Sequence, residues 1–265
     1  MEFNPPQRPK NSHKGTFGKV LNIAGSYNYS GAAYLSSIAA LKVGCGLVTL
    51  AAENHVIQVV ASQTPDVVFL PMNEVLDNIT NYTTVSIGCG LATNEETKEL
   101  FIKIIKKLKR TKIPTVIDAS GLTLLAQTNL TLNQNFIITP HIGEVSRLLN
   151  VKPEEIITHP DFWVQELGKK YNCIALIKGA NTRVYKTDKK IYINNSGCSA
   201  LAKAGSGDVL CGMLAGLLAQ GMSPFEATKL AVYWHGKTGE VASEQLGEYS
   251  VLASDLLRFI SNKNI

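Results

Sequence analysis

A glycine-rich turn in the last quarter of the chain has the residue types best suited to chemistry. It reads Ala204-Gly205-Ser206-Gly207-Asp208 and leads into a run of small and apolar residues that predicts a helix. The glycines permit a sharp turn, and the N–H groups and positive dipole end of a helix that opens there form an anion site. The carboxylate of Asp208 would repel an anion, but it can take a proton from a hydroxyl that attacks a bound phosphate. The turn therefore favours phosphoryl transfer, and a plain glycine turn with an acidic helix start is the alternative.

Two further turns place polar side chains directly after segments that predict strands. Thr139-Pro140-His141-Ile142-Gly143-Glu144 follows one such run, and Lys178-Gly179-Ala180-Asn181-Thr182 follows the next. We expect His141 to project into the loop layer, although a structural histidine is an equal alternative. Lys178 offers a point charge to a phosphate and Gly179 lets a ligand approach the backbone. A plain turn into a hairpin would explain the second segment equally well.

Two other glycine clusters carry weaker signals. Gly88-Cys89-Gly90 follows a predicted strand, but the third glycine of the dinucleotide fingerprint is missing. Gly25-Ser26 and Ser30-Gly31-Ala32-Ala33 open the first predicted helix with side chains small enough for a ligand to lie against. The sequence has no Gly-x-x-x-x-Gly-Lys-Ser/Thr motif, so it is not a P-loop enzyme. His-Glu-x-x-His and Gly-x-Ser-x-Gly are absent as well.

Short β-branched runs alternate with longer helical patterns along the whole chain. The runs are continuously apolar, as strands that are covered on both faces require. We therefore expect an α/β fold in which a mostly parallel sheet lies between two helical layers, an αβα sandwich. The predicted strands are Val20–Ala24, Leu47–Ala51, Val67–Leu70, Thr84–Ile87, Thr115–Ile117, Phe136–Thr139 and Ile174–Ile177, followed by a hairpin of Thr182–Tyr185 and Lys190–Ile193.

Start signals accompany two of the predicted helices. Thr93 with Glu96 matches a capping box ahead of an amphipathic stripe, and Ser223-Pro224-Phe225-Glu226 combines a cap with a first-turn proline. In sheets of this kind ligands bind beyond the carboxyl ends of the strands. The three chemistry-bearing turns all follow strands, so we expect them to meet at that edge.

Composition narrows the class of protein. The chain has 265 residues, 45% of them apolar, and a net charge of +5. The basic run from Lys103 to Arg110 shares a predicted helix with an apolar stripe, which favours a solvated face over a nucleic-acid surface. Five cysteines without a Cys-x-x-Cys pair fit neither a zinc ribbon nor a disulfide framework. Residues Met1 to His13 do not resemble a secretory signal and no run is long enough to cross a bilayer, so we expect a cytoplasmic protein without membrane or nucleic-acid partners.

Taken in chain order, these motifs resemble the ADP- or ATP-dependent NAD(P)H-hydrate dehydratases, a branch of the ribokinase-like superfamily. The resemblance also includes His13-Lys14-Gly15 with Phe17-Gly18, and it spans roughly residues 8 to 258. Many ribokinase-like kinases share the Gly-Ser-Gly-Asp segment, whereas the His-Lys-Gly start and the Thr-Pro-His-x-Gly-Glu segment are typical of the dehydratases. The resemblance implies one ribokinase-like domain over residues 1–265, without the N-terminal epimerase domain that many relatives carry.

The resemblance further implies metabolite repair. NADH or NADPH that is hydrated at C6 of the nicotinamide ring would be restored by phosphoryl transfer to the C6 hydroxyl and loss of phosphate. ADP would give AMP, or ATP would give ADP, and Mg²⁺ is expected with the nucleotide. The resemblance implies that Asp208 is the catalytic base and that the anion hole consists of Ala204, Gly205, Ser206 and Gly207. It implies that the nucleotide lies along Lys178, Gly179, Ala180, Asn181, Thr182 and Gly207, and that the hydrated dinucleotide contacts Ala32, Gly90, His141 and Asp208. No metal ligand is assigned.

The chain departs from the family pattern in two places. The family usually reads Gly-Pro-Gly-Leu-Gly where this chain has Gly88 to Ala92, and Asp-Ala-Asp-Ala-Leu where it has Asp118 to Leu122 with Ser120 in place of the second acid. A ribokinase-like kinase of a hydroxyethylthiazole or hydroxymethylpyrimidine is the main alternative, and a non-catalytic nucleotide sensor is another. Relatives are often tetramers, so we expect a homo-oligomer, and the small-residue helix from Ser30 to Val43 is either core or subunit interface.

Overall fold

The apolar runs form one nine-stranded sheet. The computed structural model describes residues 5–264 of the chain. Residues 1–4 and 265 of the predicted domain, including the start of the Met1–His13 segment, lie outside the described residues. The strand order is β3-β2-β1-β4-β5-β6-β7-β8-β9, parallel from β3 through β7 and antiparallel in the last two pairs. The strands are β1 Lys19–Ile23, β2 Leu47–Ala52, β3 Val68–Pro71, β4 Thr84–Ile87, β5 Thr115–Ile117, β6 Phe136–Ile138, β7 Ile174–Ile177, β8 Arg183–Tyr185 and β9 Tyr192–Ile193.

Helices cover both faces of the sheet, which confirms the predicted three-layer α/β fold. Within the described residues the α-helices are α1 Ser30–Lys42, α2 Asn54–Ala61, α3 Val75–Asn78, α4 Glu95–Leu108, α5 Ser120–Ala126, α6 Ile142–Leu149, α7 Pro153–Thr158, α8 Pro160–Tyr171, α9 Ser206–Ala219, α10 Pro224–Leu246 and α11 Ala253–Phe259. Short 3-10 helices occupy Lys14–Phe17, Met72–Glu74, Ile79–Asn81, Ser199–Leu201 and Asn262–Asn264.

Successive residues of the central strands belong to different cores. Val116 shares a hydrophobic cluster with Met213 of α9, whereas its neighbour Ile117 shares the opposite cluster with Phe101 and Ile105 of α4. Side chains alternate across a strand, so a strand between two helical layers must be apolar at every position. This is why the runs in the sequence are continuously apolar.

Helices α1 and α9 pack against each other at very short range. A Cβ atom on Gly212 would lie 2.1 Å from the carbonyl oxygen of Ser36, and one on Gly216 would lie 2.5 Å from that of Ala40. Both distances are too short for any side chain, so only glycine permits this approach of the two backbones. The small-residue helix of the sequence is therefore a core helix that fixes the position of α9.

The helix starts differ in detail from the sequence patterns. Helix α4 is capped by Asn94, whose side chain accepts a hydrogen bond from the Thr97 N–H over 2.9 Å, so the capping box assigned to Thr93 was wrong by one residue. Ser223 does stand at the N-cap of α10 but makes no side-chain capping bond. Glu226 instead pairs with Lys229 over 2.7 Å. The residue types at the two helix starts thus predicted where both helices begin, but they did not predict which side chains make the capping hydrogen bonds.

The basic run lies on the outer face of α4. Phe101, Ile104, Ile105 and Leu108 are buried, and Lys103 and Lys106 are exposed. This one-sided burial is that of a solvated amphipathic helix. Among residues 5–264, none of the helices combines the length and the hydropathy that a membrane span needs.

Candidate active site

The carboxyl ends of β6 and β7 bring two of the predicted turns side by side. Lys178 donates its backbone N–H to the carbonyl oxygen of Pro140 over 2.8 Å, and His141 and Lys178 form a single parallel bridge. Neighbouring parallel strands release their chains at the same edge of the sheet. The imidazole and the ammonium consequently line one cavity.

The first turn of α9 faces the same cavity and forms an anion cradle. Gly205 caps the helix with φ +90°, a conformation that favours glycine, and the N–H of Ser206 is donated to Lys203. Among the described residues, the N–H groups of Gly207 and Asp208 have no protein acceptor, as expected for a first helical turn. The Nζ atom of Lys178 lies 3.3 Å from the point that a Cβ on Gly207 would occupy. Because Gly207 has no side chain, the Lys178 ammonium can approach the N-terminus of α9. The ammonium and the helix N-terminus both attract a phosphate.

Lys178 is held in place by Asp118, which lies at the end of β5. The Nζ–Oδ1 distance is 2.7 Å, and the side chains are 19% and 2% exposed. Burial alone would lower the pKa of Lys178, but the carboxylates of Asp118 and Glu144 raise it above its ordinary value, so the cation persists. The Asp118 Oδ1 atom also accepts the N–H of Ala119 over 2.8 Å. Ala119 has φ +49°, and such backbone strain in a non-glycine residue is typical of functional sites.

Asp208 is partly exposed beside this ion pair. Burial raises the pKa of its carboxyl to about 6, and the Asp118 carboxylate adds to the rise, while the Cys89 thiol and the Lys178 ammonium oppose it. The group is therefore mostly ionised at neutral pH and is a stronger base than an ordinary carboxylate. A base with a pKa near the working pH is the best proton acceptor for a hydroxyl group.

His141 is the N-cap of α6. Its Nδ1 atom accepts the N–H of Gly143 over 3.0 Å, and its backbone N–H is donated to Glu144 Oε2 over 2.8 Å. Burial, and then the positive charges of Lys178 and Arg147, lower the pKa of the imidazole. Since Nδ1 is an acceptor, His141 is neutral, and the 3.5 Å approach of its Nε2 atom to Glu144 Oε2 is not an ion pair. The ring remains 55% exposed and can donate or stack against a ligand.

The space between these groups has a volume of about 780 Å³, large enough for a nucleotide. We name it the Lys178 cavity. It brings together most of the predicted site, although Asp208 itself is not among the lining residues and lies next to Gly207, which is. The lining residues that the sequence pointed to are His141, Lys178, Gly179, Ala180, Asn181, Thr182, Ala204, Gly205, Ser206 and Gly207.

Residues 20–262 match the protein family that is described as NAD(P)H-hydrate dehydratase. The chain belongs to this family. Curated dehydratases and repair enzymes are similar to it along almost its whole length. An ADP-dependent (S)-NAD(P)H-hydrate dehydratase of Neisseria meningitidis is 33% identical over 249 residues, which cover 91% of this chain and 82% of that protein. A bifunctional NAD(P)H-hydrate repair enzyme of Moorella thermoacetica is 34% identical over 96% of this chain, which spans about half the length (51%) of that relative.

Solved structures of similar proteins have the same fold. An ADP/ATP-dependent NAD(P)H-hydrate dehydratase of Bacillus subtilis, crystallised with ATP and Mg²⁺, is 27% identical, has a TM-score of 0.86, and covers 96% of this chain and 91% of its own. A ribokinase-like superfamily protein of Enterococcus faecalis is 25% identical with a TM-score of 0.87, covering 97% of this chain and 90% of its own. The predicted ribokinase-like sandwich and the family resemblance are therefore confirmed.

Two residues that the dehydratase resemblance assigned to the dinucleotide lie outside the Lys178 cavity but touch each other. Gly90 has φ +67°, and a Cβ there would lie 2.8 Å from the Cβ of Ala32. Cys89, directly before Gly90, is the residue whose thiol hydrogen-bonds Asp208. Gly90 and its neighbour Ala32 thus lie close to the chain segment that contacts Asp208. Their role in binding stays a prediction.

Two groups of the candidate site were not found by the sequence patterns. Asp118 is separated from its partner Lys178 by 60 residues, and only the retained acid of the family segment hinted at it. His235, in the middle of α10, lies with its Nε2 3.2 Å from Ser206 Oγ and lines the Lys178 cavity. No local pattern marks it, because it follows the buried apolar residues Ala231, Val232 and Trp234 of α10.

The side chains around Asp208 do not form a cage for Mg²⁺. Among residues 5–263, the one cluster of three metal-ligating atoms within 4.8 Å of each other is Cys89, Asp118 and Cys211, all buried. Two thiols suit softer ions than Mg²⁺, which prefers oxygen ligands. The described side chains therefore offer Mg²⁺ no cluster of three oxygen ligands.

Proposed function

We propose that this protein restores NADH or NADPH from the C6-hydrated dinucleotide, with ADP or ATP as the phosphoryl donor. One observation carries the proposal: a carboxylate with a pKa near 6 adjoins an anion cradle made of free helix N–H groups and a lysine ammonium. Transfer of phosphate to an alcohol requires a base beside a phosphate site. Membership of the dehydratase family supports the identity of that alcohol.

The chemistry follows from the positions of Asp208, Lys178 and the first turn of α9. Asp208 accepts the proton of the C6 hydroxyl as its oxygen forms a bond to the terminal phosphorus of the nucleotide. The bond from that phosphorus to the bridging oxygen breaks, which gives AMP from ADP or ADP from ATP. The C6–O bond of the resulting ester then breaks, inorganic phosphate leaves, and loss of the C5 proton restores the ring double bond. The N–H groups of Gly207 and Asp208 and the Lys178 ammonium stabilise the phosphoryl charge.

Lys178, Gly179, Ala180, Asn181 and Thr182 are proposed to lie along the nucleotide. Mg²⁺ bound to the nucleotide would neutralise phosphate charge, and no residue of this chain is assigned as its ligand. Ala32, Gly90 and His141 are proposed to contact the hydrated nicotinamide. The exposed Nε2–H of His141 offers a donor to a carboxamide or hydroxyl group.

A coupled assay tests the proposal. Chemically hydrated NADH is incubated with the protein, MgCl₂ and either ADP or ATP, and the absorbance band of reduced nicotinamide is followed. We expect recovery of the band only when nucleotide is present, with AMP or ADP formed in equal amounts. Turnover of a hydroxyethylthiazole or hydroxymethylpyrimidine, with no recovery of NADH, would identify a ribokinase-like kinase instead. Nucleotide binding without turnover of either substrate would identify a sensor.

The expected homo-oligomer and the cytoplasmic location remain predictions. Light scattering coupled to size-exclusion chromatography distinguishes a monomer from a tetramer. Fractionation of cells that express the tagged protein tests the location.

A further inference from the structure

The hydroxyl of Ser206 has an unusual hydrogen-bond partner. Its Oγ lies 3.2 Å from Nε2 of His235, which comes from the middle of α10. Ser206 is 6% exposed and His235 is 8% exposed, and both line the Lys178 cavity. Ser206 is also the first residue of α9 and precedes the two free N–H groups of the cradle. The hydroxyl thus lies at the entrance of the phosphate site.

His235 is neutral in this environment. Its pKa is lowered to about 4, chiefly by burial and to a smaller extent by the Lys178 ammonium, while a hydrogen bond with the Ser206 backbone opposes part of this change. A neutral imidazole adds no charge to attract phosphate, and its burial costs free energy that an apolar side chain of similar shape would not. What it can supply is a directed hydrogen bond to Ser206.

The backbone around His235 is fixed by the loop that closes the cavity. Ser196 donates its hydroxyl to the carbonyl oxygen of Tyr233 over 3.0 Å, and Asn194 donates its amide to that of Val232 over 3.3 Å. Gly197 donates its N–H to Glu240 over 2.7 Å. These bonds tie one cavity wall to α10, the helix that carries His235. His235 is therefore held rigidly relative to both walls.

We propose that His235 is a positioning residue for phosphoryl transfer, which orients the Ser206 hydroxyl so that its hydrogen points into the anion cradle. Nε2–H donates to Oγ, and the hydroxyl hydrogen is then free to donate to an equatorial oxygen of the phosphoryl group in flight. This role rests on the proposed function, and it makes Ser206 a phosphate ligand through its side chain in addition to its place in the turn. His235 touches no substrate and acts only through Ser206.

A double-mutant cycle in the coupled assay tests the role. Loss of one donor to transition-state charge typically lowers kcat by about 10²-fold, so we expect losses of that order in Ser206→Ala and in His235→Phe. We expect the double variant to match Ser206→Ala alone, because the histidine has nothing left to orient. His235→Gln places an amide N–H near the position of Nε2, and we expect it to recover kcat to within about fivefold of the wild type. A merely structural histidine would show neither the non-additivity nor the rescue.

Thr238→Val is the matched control on the same helix. Thr238 is fully buried and its hydroxyl has no partner among residues 5–263, so the change also replaces a buried polar group by an apolar one. We expect its kcat to equal that of the wild type, and Tm values of all variants are measured beside it. His235→Leu replaces His235→Phe in the cycle if the phenylalanine variant does not fold.

Two results overturn the role while leaving the proposed function intact. One is a wild-type kcat in the apolar His235 variant, and the other is multiplication of the two single losses in the double variant. A wild-type protein that regenerates no NADH overturns the proposed function itself, and with it this role. The two failures are therefore distinguished by the wild-type reaction alone.

Discussion

Two cavities of nearly equal size open at the carboxyl edge of the sheet. The Lys178 cavity, of about 780 Å³, follows β6 and β7, and a second cavity of about 730 Å³ lies beyond the ends of β1 to β4. We name the second one the Glu74 cavity. Its charged lining residues are Glu53, Glu74, Glu96, Glu99 and Lys103.

The two cavities differ in how their charges are held. The ammonium of Lys178 is fixed by a buried carboxylate and lies beside free helix N–H groups. The carboxylates of the Glu74 cavity are exposed side chains with a negative balance, and they repel phosphate weakly through solvent. Cavity volume therefore does not distinguish the two cavities. The desolvated and rigidly held charge of Lys178 is what favours the Lys178 cavity as the proposed site of phosphoryl transfer.

The largest effect should come from Asp208→Asn. An amide cannot take the hydroxyl proton, so we expect turnover in the coupled assay to fall by about 10³-fold. Nucleotide affinity, measured by calorimetry with ADP, should stay within a few fold, because the group acts mainly in the transition state. Undiminished turnover in this variant would remove the mechanism and make the Lys178 cavity a binding site only.

Lys178→Met should have the next largest effect. We expect kcat/KM for ADP to fall by about 10²-fold, since one fixed positive charge on the phosphoryl group is lost. The variant also leaves Asp118 buried and unpaired, which costs stability. The double variant Lys178→Met with Asp118→Asn should regain Tm but not activity. Lys169→Met, which breaks an exposed pair with Glu166, is the matched control and should equal the wild type.

The pH profile gives a third test. Asp208 has a pKa of about 6 and must be ionised to accept a proton. We therefore expect kcat/KM to be flat at neutral pH and to fall about tenfold for each pH unit below 6. Initial rates between about pH 4.5 and about pH 8 at constant ionic strength measure this acidic limb. A profile that stays flat down to about pH 4.5 would mean that an unperturbed group is the base.

The sequence predicted the frame of the site better than its internal contacts. Apolar runs located every parallel strand because their burial on both faces demands continuous hydrophobicity, as at Val116 and Ile117. The turns around His141, Lys178 and Asp208 were likewise found, since local residue types mark strand ends and helix starts. The Lys178–Asp118 pair and the Ser206–His235 bond could not be derived, because they join elements distant in sequence whose approach depends on the packing of α1, α9 and α10.

Asp208→Asn should also change stability, by a smaller amount. The folded pKa of about 6 exceeds the ordinary value of 3.8, so the ionised carboxylate costs folding free energy that is fully present above pH 6 and is lost as pH falls toward 4. We expect the variant to be more stable than the wild type by up to about 2 kcal/mol at pH 8. The gain should vanish near pH 4, where both side chains are neutral. Urea unfolding at the two pH values measures it, and equal stabilities at pH 8 would contradict the raised pKa.

The smallest effect is expected in the Glu74 cavity. Glu74→Gln removes one of its exposed carboxylates, and since such charges are screened by solvent, we expect kcat and the KM for ADP to change by less than about twofold. Glu99→Gln, on α4, should behave in the same way. The KM for the hydrated dinucleotide is the informative quantity, because Leu91 and Gly25 line this cavity, Leu91 follows the predicted dinucleotide contact Gly90, and Gly25 donates its N–H to the carbonyl oxygen of Cys89. If that KM changes by more than about fivefold while the KM for ADP does not, the Glu74 cavity holds part of the dinucleotide, and the two cavities serve one reaction.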